Sequence, residues 1–113
     1  MSTPEELLPL TAAEFQVLLA LAEGERHGYA LMQEVRKNTD GRVRLGPGTL
    51  YTLLDRLLLS GIIEESTRRP DPEEDQRRRY YRLNTFGRAV LEAEAKRLET
   101  LVRIARRRLS QHA

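Results

Sequence analysis

Arg77, Arg78 and Arg79 stand in a row and run into Tyr80 and Tyr81. Upstream, the stretch GPGTLYTLLDRLLLSG sets Gly48, Thr49, Tyr51, Thr52 and Arg56 among leucines. A planar guanidinium makes two parallel N–H···O bonds to a phosphate or to the edge of a guanine. Hydroxyls of threonine and tyrosine add shorter hydrogen bonds. Glycines at a helix start leave its free backbone N–H groups, and the positive end of its dipole, open to an anion. This set of groups suits recognition of a nucleic acid. Each member also has a plainer role. Tyr51 either packs under a neighbouring hairpin or touches a phosphate, Asp55 pairs with a cation such as Arg56, and Thr49 serves as a first-turn residue.

A reading surface needs a second face that fixes it. Leu50, Leu53, Leu54, Leu57 and Leu58 follow the i, i+3, i+4, i+7, i+8 spacing of a buried helix face, which predicts a helix from about Pro47 to Ser60. Proline suits its first turn and Gly61 its stop. Before it, Thr11 and Glu14 form a capping box, with Leu10 and Phe15 as a hydrophobic staple. The helix so opened carries one stripe of Phe15, Leu18, Leu19 and Ala22 and a second of Val17 and Leu21, and ends at Gly24. A second helix is expected from about Gly28 to Asn38, with His27 at its start, followed by a short extended RVRL. Ile62 to Ser66 and Arg78 to Leu83 are strand-like around a loop rich in proline and acids. Strand alternation turns Tyr80 and Tyr81 to opposite faces, one of them buried with Leu83.

Asn84 caps a last helix that reaches about Leu109. Its apolar residues, among them Phe86, Val90, Leu91, Leu98, Leu101, Val102 and Ala105, make a stripe longer than a small domain can cover, with Glu94 inside it. A two-fold dimer covers such a stripe, and Val17 and Leu21 are expected to join that interface. The alternative is that the helix folds back on its own domain. The fold class expected is mainly α with a small two-stranded β wing: a winged helix-turn-helix over residues 1–83 and a long C-terminal dimerisation helix over residues 84–113.

Composition narrows the function classes. The chain has 113 residues, 40% of them hydrophobic, which allows one modest core. Charged residues are 32% and the cations are nearly all arginine, yet the net charge is only +2. Recognition of nucleic acid therefore rests on where the charge sits, and a GC-rich genome supplies arginine in any case. Absent cysteine removes disulfides and thiolate chemistry. No segment has the length and apolarity of a membrane span or a signal peptide, so the expected location is the cytoplasm. His27 and His112 are the only imidazoles, and no metal-ligand spacing or nucleophile arrangement accompanies them, so neither an enzyme nor a cofactor or metal is expected.

The segments HGYALMQEV, GTLYTLLDRLLLSGIIEE and RRRYYRLNTFGRAVL, with their spacing, resemble the PadR family of bacterial transcriptional regulators, in particular its short form. The resemblance spans most of residues 11 to 95. It implies a dimeric winged helix-turn-helix protein that binds double-stranded operator DNA, usually as a repressor, with some relatives responding to phenolic acids or hydrophobic drugs. It places Gly48, Thr49 and Tyr51 at the start of the recognition helix, Arg77 to Arg79 on the wing, and Tyr29 as a phosphate contact. Two departures stand out. Family wings commonly carry a glycine-containing tip, whereas this tip is PDPEED, whose Asp71, Glu73, Glu74 and Asp75 repel phosphates. The chain also lacks tryptophan, so a small-molecule effector would meet no indole; Phe86 and Leu98 either line an apolar pocket for it or pack in the core. A winged-helix dimer that binds protein instead of DNA is the competing reading.

Overall fold

The computed structural model describes residues 2–67 and 69–112. A short 3-10 turn at Pro4–Leu7 precedes helix α1 (Ala12–Leu21), strand β1 (Arg26–His27), helix α2 (Gly28–Asn38), helix α3 (Pro47–Leu59), strands β2 (Ile63–Glu65) and β3 (Tyr80–Leu83), and helix α4 (Thr85–Gln111). Local signals place the helix starts. The Thr11 hydroxyl accepts the Glu14 N–H at 3.1 Å while the Glu14 carboxylate accepts the Thr11 N–H at 2.8 Å, satisfying two backbone donors reciprocally. His27 Nδ1 accepts the Ala30 N–H at 3.2 Å and caps α2. Asn84 Oδ1 accepts the Gly87 N–H at 2.7 Å and caps α4.

The wing has one strand more than expected. β3 is central, antiparallel to β2 on one side and to the two-residue β1 on the other. This alters the fate of the tyrosine pair. Tyr80 and Tyr81 are both buried, at 4% exposure each, Tyr81 on the core side and Tyr80 beneath His27 of β1 and Glu74. Tyr81 joins the core, and Tyr80 lies edge-on to the His27 ring at 5.4 Å between centroids.

Helix α1 packs against α2, α4 and β3. Val17, Leu18 and Leu21 meet Leu31, Val35, Leu50, Leu54, Leu57, Ile62 and Val90 in one core. Val17, Leu21 and Val90, expected at a dimer interface, are therefore interior, with exposures of 0%, 1% and 0%. The Val17–Leu21 stripe of α1 and Leu18 are covered within the chain, while Leu19 of the other stripe stays 39% exposed. Leu91, Leu98 and Phe86 are half-buried, the first and last packed on this core. The compact unit thus continues past Leu83 into the first turns of α4, where Gly87, Val90 and Glu94 are buried.

Two polar junctions hold the long helix. At the first, Gly61 turns with φ +74 after α3, and its carbonyl accepts Asn84 Nδ2 at 2.6 Å. One residue on, Ile62 O lies so close to Gly87 that a Cβ there would stand 1.8 Å from it. At the second, the Leu10 N–H donates to Glu94 at 2.7 Å, and Arg97 Nη2 donates to the same carboxylate at 3.1 Å. Glu94 is 1% exposed, so the residue that interrupts the apolar stripe is an internal clasp between the N-terminal segment and α4. The Arg97 guanidinium, seconded by the Leu10 N–H, holds its carboxyl below the usual carboxylate range against the opposing effect of burial.

Gly87→Ala should cost about 3 kcal/mol in denaturant unfolding, since a methyl group meets fixed backbone there. Gly28→Ala, whose Cβ would stand 2.7 Å from the mobile end of Tyr51, should stay within about 1 kcal/mol of wild type. Equal losses would sink the close-approach argument. Glu94 stabilises the fold where both folded and unfolded forms are ionised, and that contribution disappears as pH falls through its depressed folded value. The melting-temperature gap between wild type and Glu94→Gln should accordingly narrow on going from about pH 6 to about pH 3. Parallel curves would show that the clasp carries no charge dependence.

Candidate nucleic-acid interface

Helix α3 has the two faces that its spacing predicts. Leu50, Leu54 and Leu57 are at most 1% exposed and Leu53 lies beside them, while Thr49, Tyr51, Thr52, Asp55 and Arg56 face outward. Fully burying leucines of this kind is worth roughly 2 kcal/mol each, enough to fix the helix without help from its outer face. Its N-terminus has no side-chain cap. Gly46 and Gly48 would meet nothing within 4 Å if they carried a Cβ, and neither has a positive φ. Packing inside the chain therefore does not require glycine at either position.

The outward residues fall into two groups around the helix. Gly48, Thr49, Thr52 and Arg56 line an open groove of about 620 Å³ with Thr11 and Ala13 from the start of α1. Arg56 reaches Glu14 Oε2 at 3.6 Å, not Asp55 as expected. Glu14 thus serves twice, one oxygen closing the capping box and the other steadying Arg56. Tyr51 lies on the other flank, in a cleft of about 290 Å³ with His27, Gly28, Tyr29, Arg78 and Arg79. Tyr29 and Tyr51 are 56% and 47% exposed, and the Tyr51 hydroxyl lies close to Gly28 at the first turn of α2.

The wing arginines are present but not bare. Arg77 pairs with Asp75 at 3.2 Å, Arg78 with Glu74 at 3.3 Å and Arg79 with Glu65 at 3.9 Å. Arg77 is set apart from the cleft that holds Arg78 and Arg79. Asp75 also lines that cleft. The carboxylate partners were not legible from the sequence beyond the acidity of the tip. His27 was, as a helix-start residue.

On the far side, Leu101 and Val102 are 48% exposed and Leu109 71%, with Ala105 also open. These form the unpaired part of the arm. Leu98 lines a cavity of about 310 Å³ between α1 and α4 with Phe15, Gln16, Glu94 and Arg97. Phe86 is not in it; its ring packs on the core instead. The buried Gln16 Oε1 has no hydrogen-bond partner among the described residues. Among those residues, too, no cluster of metal-ligating side chains occurs and no helix is long and apolar enough to cross a membrane.

Comparison with known proteins follows the same lines. The family model "Transcriptional regulator PadR-like family" matches residues 17–93. Transcriptional regulator Rv3488 of Mycobacterium tuberculosis is 36% identical over 92 residues, covering 81% of this chain and 80% of that one. The structure of a transcriptional regulator from Clostridium thermocellum superposes with a TM-score of 0.69 at 25% identity, over 84% of this chain and 87% of that one. The fold is also that of a PadR family transcription regulator from a hypervirulent Clostridium difficile, with a TM-score of 0.72 at 21% identity over 86% and 97% of the two chains.

Proposed function

Because the chain belongs to the PadR-like family of transcriptional regulators, we propose that it acts as a homodimeric repressor that binds a specific operator. The observation that carries this reading is α3: buried leucines hold it, while Thr49, Thr52 and Arg56 line an open groove beside two glycines that nothing in the chain requires. In this reading Thr49, Thr52 and Arg56 address base edges and nearby phosphates in the major groove. Tyr29, Tyr51 and the start of α2 take a phosphate, and Arg77 to Arg79 follow the backbone from the wing. Gly48 keeps the helix start close to the duplex. The dimer forms through the exposed Leu101, Val102, Ala105 and Leu109 of α4, with Leu98 at the edge of the seam. Two-fold symmetry then sets the recognition helices about one DNA turn apart, ~34 Å between half-site centres.

The repressor is relieved by a small apolar or aromatic effector seated between α1 and α4. Phe15 and Leu98 supply the apolar walls of that cavity, and the unpartnered Gln16 oxygen supplies an acceptor for a hydroxyl or N–H on the ligand. Its floor includes Glu94, so occupancy bears on the clasp that fixes the N-terminal segment to α4.

Fluorescence anisotropy with a duplex from upstream of the protein's own gene should show binding that is tighter than to a scrambled duplex and weakens steeply with salt. Arg56→Glu combined with Arg78→Glu should weaken it by at least ~100-fold with the melting temperature and dimer unchanged. Retained binding in that variant would misplace the reading surface; a flat salt response would favour a protein partner over DNA. Calorimetry across phenolic acids and planar cationic drugs should find one that binds wild type and loses affinity in Gln16→Leu. Silence across the whole panel would remove the effector from this reading.

A further inference from the structure

The wing tip places acids directly on its arginines. Asp75 takes the fork of Arg77: Nε and Nη2 each stand 3.2 Å from a different carboxylate oxygen, and the Arg77 N–H donates to Oδ1 at 2.9 Å. Two parallel N–H···O bonds to two oxygens of one anion is how arginine grips a phosphodiester. Glu74 accepts the Tyr80 hydroxyl at 2.6 Å and Arg78 Nη1 at 3.3 Å. The tip is folded to present these groups. The Glu74 N–H donates to Asp71 O at 2.9 Å, the Arg78 N–H to Asp75 O at 3.1 Å, and Gln76 Nε2 to Asp71 O at 2.8 Å. Asp75 also borders the cleft at the start of α2 that Tyr29, Tyr51, Arg78 and Arg79 line.

We infer that Glu74 and Asp75 are internal stand-ins for DNA phosphates, which occupy the wing arginines in the free protein and must be displaced before Arg77 and Arg78 grip a duplex. The inference rests on the DNA-binding reading above. Non-specific binding depends almost wholly on cations meeting phosphates, so the two carboxylates act most strongly against it. Thr49, Thr52 and Arg56 of α3 line a separate groove that neither carboxylate borders, whereas Tyr51 shares the cleft with Asp75. The wing thus raises the threshold for wandering onto unrelated DNA. Exposed ion pairs are weak, which makes this an exchangeable contact and not a locked one. Foremost the Tyr80 hydroxyl for Glu74, and Arg77 for Asp75, hold both carboxyls below their usual range, so the stand-ins remain charged in mildly acid solution.

The test compares two isosteric pairs on one loop, using a labelled random-sequence duplex at about 50 and 200 mM salt. Glu74→Gln/Asp75→Asn should bind about tenfold tighter than wild type, with a log K against log salt slope steeper by one to two. Asp71→Asn/Glu73→Gln removes the same charge from residues that make no ion pair among the described ones, and should gain less than about threefold. Asp75→Asn alone should give part of the gain, which guards against misfolding of the double variant. Equal gains in the two pairs would mean generic charge repulsion and overturn the inference. Unchanged affinity in Glu74→Gln/Asp75→Asn, with wild type still binding, would overturn it as well. Wild type that binds no duplex at all would instead sink the DNA-binding reading, and this inference with it.

Discussion

Four elements meet where Gly61 and Ile62 face Asn84 and Gly87. Asn84 uses its amide to bind the Gly61 carbonyl and its oxygen to cap α4, while the Ile62 carbonyl occupies the space where any side chain at position 87 would go. The end of α3, both main wing strands and the start of the arm are thereby tied at one point. Backbone packed this tightly against backbone has no soft side chain to absorb a displacement. The junction therefore fixes the direction in which α4 leaves the winged unit.

The electrostatics follow a complementary logic. A net charge of +2 is small for a protein that meets a polyanion, and the reason is visible in the pairing. Arg56 lies near Glu14, Arg82 near Glu64 and Glu25, and each arginine of the wing run near its own carboxylate. The cations are positioned by the acids beside them, which restrains long flexible side chains and keeps their field short in range. Glu94 and Arg97 follow the same habit in a buried setting, where the partnership serves cohesion of the chain.

What could be read from sequence was whatever depends on near neighbours. The capping box at Thr11 and Glu14, the cap at Asn84, the leucine spacing of α3 and the extent of α2 all rest on residues within a turn of one another, and each appears in the structure. What depends on distant partners was not legible. Glu94 looked like a flaw in a dimer stripe because its partner, the Leu10 N–H, lies 84 positions away. Val17 and Leu21 were expected at a dimer interface because nothing local says that α4 and β3 close over α1. The two residues of β1 are too few to show a period, and without them the burial of both Tyr80 and Tyr81 had no cause. Residues of the candidate interface were legible by type and spacing; the carboxylates that hold them were not, since arginine reaches acids through space that sequence order does not record.

The division of labour on α3 has an evolutionary consequence. Leu50, Leu53, Leu54 and Leu57 are locked into the core, while Thr49, Thr52 and Arg56 are exposed, Arg56 beside one carboxylate. Substitutions on that outer row leave packing, caps and the Gly61–Asn84 junction intact. The scaffold can therefore be duplicated and its copies can diverge along this exposed row, one side chain at a time, without any intermediate passing through an unstable ancestor.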